Sequence, residues 1–301
     1  MNPPIDFVFF IVPGFPGIVN TKCGGKNLRG SHGGSEKKVE KYFHFCYNNY
    51  NIISKNTRSA ALGSAVDNRG KEKMIRTILW DIDGTLLNFL ASEKAAIQSL
   101  FSEFGLGECT DEMIARYSAI NRKYWERLER GEITKPEVLR GRYEEFFLLE
   151  GLNPALAPAF NDAYQLRLGD TVVYCDDSKT IVKSLRGRVR QYAVSNGTVI
   201  AQTKKLKNSG LDILMDGVFL SEDVGYEKPA VEFFDAVFRA IGQPPRNEVL
   251  IVGDSLTSDI RGGNNARIRT CWYNPAGLSN TAGVQVDFEL RDLHGIYELL
   301  R

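Results

Sequence analysis

From Ile75 to the end of the chain, short apolar runs alternate with stretches of helical periodicity. Runs of this length, bounded by polar and glycine-rich segments, are typical of buried strands, and the alternation predicts a parallel sheet with helices on both faces. The predicted strands are Ile75–Trp80, Val189–Val194, Gly217–Leu220, Val249–Val252, Arg269–Trp272 and, more weakly, Val286–Glu289. The helical stretches between them include Val199–Asn208, Ala230–Ile241 and Asp259–Ala266. The fold class is therefore α/β with a Rossmann-like parallel sheet core.

One long segment, residues 91–169, interrupts this alternation because it contains only helix signals. Glycines lie near the ends of its successive amphipathic stretches, as expected for helix termini. The predicted helices are Ser92–Phe104, Asp111–Arg130, Lys135–Glu150 and Leu156–Leu168. An all-helical insertion directly after the first strand predicts a helical-bundle cap domain over the strand ends. The catalytic core then consists of residues 74–90 and 170–301.

Residues 1–73 have a different composition from the rest of the chain. Ile5–Val19 is apolar, but Pro13 and Pro16 interrupt it, and it is too short to span a bilayer. The remainder is rich in Gly, Ser, Asn and Lys and shows no sustained periodicity. We interpret residues 1–73 as an N-terminal extension outside the core, with Met74 a natural start for the domain. A leader peptide or a membrane tether stays open as an alternative.

Charge and cysteine usage narrow the classes of function. The chain has 38 Lys and Arg against 37 Asp and Glu, of which residues 1–73 hold 11 and 5, so the remainder is acidic. An acidic body argues against binding to a nucleic-acid polymer. The five cysteines are scattered and odd in number, which predicts reduced thiols and a cytoplasmic location rather than disulfides or zinc. We also expect no membrane association and a monomer or homodimer.

The most informative motif is Asp81-Ile82-Asp83-Gly84-Thr85, where the first apolar run ends. Residues i and i+2 of an extended chain point the same way, so Asp81 and Asp83 can face one site. Two carboxylates this close require a cation, a proton or a shared chemical task. A nucleophilic Asp beside an acid–base Asp meets that requirement, whereas a plain Asx-capped turn is the structural alternative.

Three further strand ends carry polar residues of suitable chemistry. Each alone has an ordinary interpretation as a helix cap, a solvated lysine or a turn. Parallel strands direct their carboxyl ends to one edge of the sheet, so together these residues supply two phosphate contacts and a magnesium ligand for the two acids. The segments are Ser195-Asn196-Gly197, Lys228-Pro229 and Asp254-Ser255 with Asp259.

In these four motifs the chain resembles the haloacid dehalogenase (HAD) superfamily, in its phosphatase form with a helical C1-type cap. The resemblance covers Met74 to Arg301. It implies that Asp81 is the nucleophile that forms an aspartyl-phosphate. It implies further that Asp83 protonates the leaving oxygen and then activates the hydrolytic water. A dehalogenase would need neither a metal nor this second acid.

The same resemblance implies the remaining roles. Ser195, Asn196 and Thr85 are expected to contact the phosphate, and Lys228 to neutralise charge beside the nucleophile. Mg²⁺ is the implied cofactor. Its expected ligands are Asp254, the Asp81 carboxylate and the Asp83 backbone carbonyl, with Asp259 and Ser255 in support.

Four short segments of the sequence also resemble the YjjG-type pyrimidine 5′-nucleotidases. The segments that carry it are 91–96, 195–197, 262–266 and 271–275. The expected substrate is a small phosphomonoester, most specifically a pyrimidine nucleoside monophosphate. A sugar-phosphate phosphatase, a phosphomutase and a non-catalytic binding protein on the same fold stay open. Aromatic residues of the predicted cap, expected mostly in its core, are Tyr117, Tyr124, Trp125, Tyr143, Phe146 and Phe147.

Overall fold

A computed structural model describes residues 74–301, so the predicted extension 1–73 lies outside the described residues. A six-stranded parallel sheet forms the core, with the strand order β3-β2-β1-β4-β5-β6. The strands are β1 (Thr77–Trp80), β2 (Arg190–Ser195), β3 (Gly217–Leu220), β4 (Val249–Gly253), β5 (Arg269–Tyr273) and β6 (Phe288–Leu290). The predicted α/β fold class with its parallel sheet is confirmed.

Strand β1 lies in the centre of the sheet and positions the first motif. All four of its residues are buried, and Trp80 is in register with Ala193 of β2 and Val252 of β4. Alternate side chains of β1 belong to different apolar clusters. Ile78 and Trp80 pack in one cluster, and Leu79 packs in another. The sheet is therefore covered on both faces, and its central strand delivers Asp81 to the carboxyl edge.

Ten α-helices accompany the sheet in residues 74–301. The first four, which lie between β1 and α5, are α1 (Phe89–Glu103), α2 (Asp111–Glu129), α3 (Lys135–Leu149) and α4 (Ala157–Arg167). The others are α5 (Ser178–Leu185), α6 (Val199–Ser209), α7 (Ser221–Val224), α8 (Val231–Ala240), α9 (Arg261–Asn265) and α10 (Ile296–Leu299). Among the described residues, no helix combines the length and the apolar character that crossing a bilayer requires.

Helices α1 to α4 enclose a further apolar cluster, which is rich in aromatic rings and includes Ala201 of α6. The rings of Tyr117 and Tyr143 stack with centroids 5.0 Å apart, and Phe147 meets Phe160 edge-on at 5.1 Å. Four of the six aromatic residues expected in the core of this bundle are fully buried there: Tyr117, Tyr143, Phe146 and Phe147. Tyr124 packs partly buried against the same cluster, whereas Trp125 lines the cavity described below.

Several element boundaries differ from the sequence prediction. Helices α5 and α7 were not predicted, and β1 starts two residues later than predicted. The helix predicted from Asp259 instead begins with a π-helical turn, Leu256–Ile260, which continues into α9. Strand β6 starts two residues later than predicted, because the Asp287 carboxylate accepts the Thr270 N–H at 2.9 Å and takes the place of a backbone partner.

Candidate active site

A tight turn after β1 directs Asp81 and Asp83 to the carboxyl edge of the sheet. The backbone N–H groups of Leu86 and Leu87 donate to the carbonyl of Ile82 at 3.0 and 2.9 Å and close the turn. Gly84 has φ +89°, a conformation that side chains with a Cβ rarely adopt. A Cβ at this position would also collide with the Asp254 carboxylate. Glycine is therefore required for both the turn and the approach of Asp254.

Three carboxylates converge beside this turn. Asp81, Asp254 and Asp259 each offer an oxygen, and these oxygens lie within 4.8 Å of one another. Burial, opposed by Lys228 and reinforced by Asp259, raises the pKa of Asp81 to about 7. The Asp254 side chain is open to the cavity, but desolvation by the surrounding protein and repulsion from Asp81 and Asp259 still raise its pKa well above the usual range. The cluster is thus an electrostatically unfavourable group that a bound cation would relieve.

Lys228 is the buried counter-charge of this cluster. Its side chain is only 1% exposed, and its Nζ donates to Asp81 Oδ1 at 2.7 Å, Asp259 Oδ1 at 2.7 Å and the Val194 carbonyl at 2.9 Å. Burial alone would lower the pKa of Lys228, but attraction to Asp259 and Asp81 outweighs it and leaves the pKa above its ordinary value. All three ammonium protons are therefore bonded, and the charge stays in place at neutral pH.

The Ser195-Asn196-Gly197 turn follows β2 and leads into α6. Ser195 Oγ accepts the Gly197 N–H at 3.0 Å. The Asn196 side chain donates to the Lys228 carbonyl at 2.8 Å and accepts the Lys228 N–H at 2.8 Å. Because both ends of this amide are engaged, the Asn196 side chain positions Lys228, and its predicted phosphate contact depends on its main-chain N–H.

Asp259 and Ser255 stabilise the loop that carries Asp254. Asp259 Oδ2 accepts the Ser255 N–H at 3.2 Å while its Oδ1 binds Lys228, and Ser255 Oγ caps the Ser258 N–H at 3.0 Å. Thr85 Oγ1 donates a long hydrogen bond of 3.4 Å to Asp254 Oδ1. The predicted contact of Thr85 with phosphate stays a prediction.

Four residues at this site were not identified from the sequence. The indole N–H of Trp272 donates to the Asp254 carbonyl at 2.9 Å. Gln202 and Lys205 of α6 bind the Asp83 carboxylate. Glu129, at the end of α2, accepts a hydrogen bond from Thr257, and its burial raises its pKa to about 7. Only the spacing of Gln202 and Lys205, three residues apart on one helix, offered a sequence signal.

A cavity of about 1160 Å³ lies between this edge of the sheet and helices α1 to α4. The strand-end residues that line it are Asp81, Asp83, Ser195, Lys228 and Asp254. Side chains of the helices line it as well: Glu93, Ser118, Asn121, Arg122, Trp125, Arg142 and Gln165. The cavity can therefore hold a charged group beside the carboxylates together with a larger organic group.

Comparisons with known proteins agree with this geometry. The chain is 35% identical over 228 residues to YfnB, a HAD-hydrolase of Bacillus subtilis (strain 168), which covers 76% of this chain and 96% of YfnB. It is 32% identical to the pyrimidine 5′-nucleotidase PynA of Streptococcus pneumoniae (strain ATCC BAA-255 / R6), over 74% of this chain and 94% of PynA. It is 29% identical to the pyrimidine 5′-nucleotidase YjjG of Escherichia coli (strain K12), over 74% of this chain and 96% of YjjG.

Among solved structures, magnesium-bound YfnB from Bacillus subtilis superimposes with a TM-score of 0.71 at 34% identity, covering 76% of this chain and all of that chain. The family model for haloacid dehalogenase-like hydrolases matches residues 75–267, more than half of the sequence, including all four motifs. With sequence, fold and strand-end acids in agreement, the chain belongs to the haloacid dehalogenase-like hydrolase family.

Proposed function

We propose that this protein is a Mg²⁺-dependent phosphomonoester hydrolase that acts through an aspartyl-phosphate on Asp81, with pyrimidine nucleoside 5′-monophosphates as substrates. The observation that carries the proposal is the contact of Asp81 with Lys228 at 2.7 Å, together with an Asp254 oxygen within 4.8 Å. A carboxylate held in this way has one oxygen bound to a fixed cation. The cavity beside it has room for a phosphate.

The residues present fit a magnesium ion. Mg²⁺ prefers oxygen ligands and is usually bound by one or two carboxylates, with water and substrate oxygens completing the shell. Asp81 and Asp254 would hold it, together with the Asp83 backbone carbonyl. The raised pKa values of Asp81 and Asp254 indicate that their ionised forms are unfavourable without a further positive charge. When bound, the ion neutralises phosphate oxygens during transfer.

The chain's own residues account for the two proton transfers and the bond changes. An Asp81 oxygen attacks phosphorus, the bond from phosphorus to the leaving oxygen breaks, and Asp83 gives its proton to that oxygen. Asp83 then takes a proton from the water that attacks the aspartyl-phosphate, which releases inorganic phosphate and restores Asp81. Lys228 stabilises the charge on Asp81 and the transferring phosphoryl group, and Ser195 would contact a phosphoryl oxygen.

The nucleotide specificity is supported by the relatives and by the size of the cavity. PynA and YjjG are pyrimidine 5′-nucleotidases, and the match extends over 94% and 96% of their lengths. A volume of about 1160 Å³ suffices for a nucleoside monophosphate, because ligand pockets typically measure about 300–1,000 Å³. Trp125 lines the cavity and offers an aromatic ring to a nucleobase.

A substrate panel tests the proposal. Purified protein with Mg²⁺ is assayed for phosphate release from pyrimidine and purine nucleoside 5′-monophosphates, sugar phosphates and a generic aryl phosphate. We expect pyrimidine monophosphates among the best substrates and no turnover by Asp81→Asn, because a neutral amide is a poor nucleophile for phosphorus. A preference for sugar phosphates would refute the nucleotide specificity alone. Full activity of Asp81→Asn would refute the mechanism.

A further inference from the structure

The orientation of Asp83 is fixed from outside the motifs. Lys205 Nζ lies 2.6 Å from Asp83 Oδ1, and Gln202 Nε2 lies 2.5 Å from Asp83 Oδ2. The two donors come from one face of α6, since residues three apart on a helix are neighbours. Two donors on different oxygens restrain both the position and the rotation of the carboxylate plane.

Lys205 is an unusual lysine, because its side chain is only 2% exposed. Within residues 74–301, Asp83 is the only carboxylate within ion-pair distance of its Nζ. Its remaining environment includes the ring of Phe89, whose centroid lies 4.9 Å from Nζ. Burying a lysine with a single charge partner costs desolvation free energy that the ion pair can fail to offset, so stability alone does not account for this pair.

Gln202 is likewise buried and bonded to Asp83. It is fully buried, and its Oε1 has no hydrogen-bond partner among the described residues. Burying this amide therefore leaves one polar atom unsatisfied, and the contact that the side chain does make is the one to Asp83. A Cβ on Gly197 would collide with the Gln202 side chain. The glycine of the phosphate-side turn thus leaves the space through which Gln202 reaches Asp83.

We propose that Lys205 and Gln202 are positioning residues that hold Asp83 for proton transfer to the leaving oxygen. Helix α6 also begins at the turn that carries Ser195, so one rigid element fixes the phosphate end of the site and the orientation of the acid. The proposal deepens the phosphatase function given above and rests on it. Both residues act through Asp83, whose carboxylate they contact.

The test exploits leaving groups of different quality. An aryl phosphate such as p-nitrophenyl phosphate expels a stable phenolate and needs little protonation, whereas a nucleoside 5′-monophosphate expels a poor alkoxide. The measured quantity is kcat/KM, which reports the step in which the leaving group departs and not the later hydrolysis. For Lys205→Met we expect a loss of about 30- to 100-fold on the nucleotide and of less than about 3-fold on the aryl phosphate, since general acid catalysis contributes at least about 10²-fold.

Two further variants and a matched control complete the design. Lys205→Arg keeps a cation at this position and should recover at least about 10-fold of the nucleotide activity, as a charge-assisted contact to the carboxylate is restored. Gln202→Met should show the same selective loss of kcat/KM on the nucleotide, but of smaller magnitude. It tests the proposal independently if Lys205→Met does not fold. Lys204→Met replaces the neighbouring lysine, which pairs with Asp170 away from Asp83, and should leave both substrates unchanged.

Equal losses on the two substrates, or none, in both Lys205→Met and Gln202→Met would overturn the proposal while the phosphatase function stands. Failure of the wild-type protein to hydrolyse either substrate with Mg²⁺ would overturn the proposed function, and the inference with it. A selective loss on the nucleotide that Lys205→Arg reverses supports the inference.

Discussion

Replacing Lys228 with methionine removes a buried cation that contacts both Asp81 and Asp259. Methionine retains much of the aliphatic length, so the substitution deletes mainly charge and hydrogen bonds. Three acceptors at 2.7, 2.7 and 2.9 Å lose their donor, and two buried carboxylates are left facing each other. The variant therefore tests the electrostatic arrangement of the site separately from its packing.

The magnitude follows from the burial of this group. Removing one partner of a buried ion pair destabilises a protein by about 3–5 kcal/mol, because the remaining charge is uncompensated. For a folded unit of this size, each kcal/mol shifts the unfolding temperature by roughly 2–4 °C, so we expect a decrease of about 6–20 °C. Loss of one preorganised charge at the phosphoryl group lowers kcat by about 10²- to 10³-fold.

Thermal unfolding in EDTA and a phosphatase assay with Mg²⁺ measure the two effects. Lys207→Met serves as the control, because Lys207 is exposed on α6 and should tolerate the change. Adding Asp259→Asn to Lys228→Met should recover part of the lost stability, since one uncompensated charge disappears, but no activity. Wild-type stability together with wild-type turnover in Lys228→Met would refute the reasoning.

Three other predictions concern the metal and the turn. Excess EDTA should abolish phosphatase activity and Mg²⁺ should restore it, whereas undiminished activity in chelator would contradict the metal role. In EDTA, the free energy of unfolding should fall as the pH rises from about 4 to 8: the pKa of Asp81 is raised from 3.8 to about 7, so the folded state keeps a proton that the unfolded chain has already released. Added Mg²⁺ should then raise the unfolding temperature more at pH 8 than at pH 5, and the opposite order would count against Asp81 as a ligand. Gly84→Ala should cost about 1–3 kcal/mol for its positive φ and also weaken activation by Mg²⁺, because its Cβ displaces Asp254; Gly107→Ala, at φ +90° with no atom within 4 Å of its Cβ, should show only the first effect.

The part of the site that could be predicted from the sequence is the part encoded locally. Asp81 and Asp83 share a strand end, and Asp254 follows another apolar run, so the order of strands in a parallel sheet suffices to bring them together. Lys228 is not a strand-end residue of this kind, because helix α7 (Ser221–Val224) separates it from the end of β3 at Leu220. Strand-end chemistry of this kind needs only the period of the hydrophobic pattern and the topology.

Residues that act across the fold could not be predicted in this way. Lys205, Glu129 and Trp272 reach the site from two helices and a strand, and each fits its own element as an ordinary helix or strand residue. Asn196 was assigned to phosphate, but its side-chain amide binds the backbone of Lys228, a contact that pairs segments 32 residues apart. Such contacts depend on the tertiary packing of elements whose relative placement no local pattern specifies.

Some element boundaries were missed for physical reasons as well. Helix α5 is only eight residues long, and its N-cap residue Asp177 has a positive φ and makes no side-chain capping hydrogen bond. The predicted start of a helix at Asp259 was displaced because Ser255 Oγ caps a π-helical turn that begins earlier. The division into a core and a cap at residues 91 and 169 stays a prediction.

Trapping the covalent intermediate tests the central claim most directly. The protein with Mg²⁺ is mixed with a nucleoside monophosphate carrying a labelled phosphate, quenched in acid within the first turnovers, digested and mapped by mass spectrometry. The account predicts an acid-stable, hydroxylamine-sensitive phosphoryl group on Asp81, and no label in Asp81→Asn. Efficient turnover without a phosphorylated enzyme, or with the label on a different residue, would contradict it.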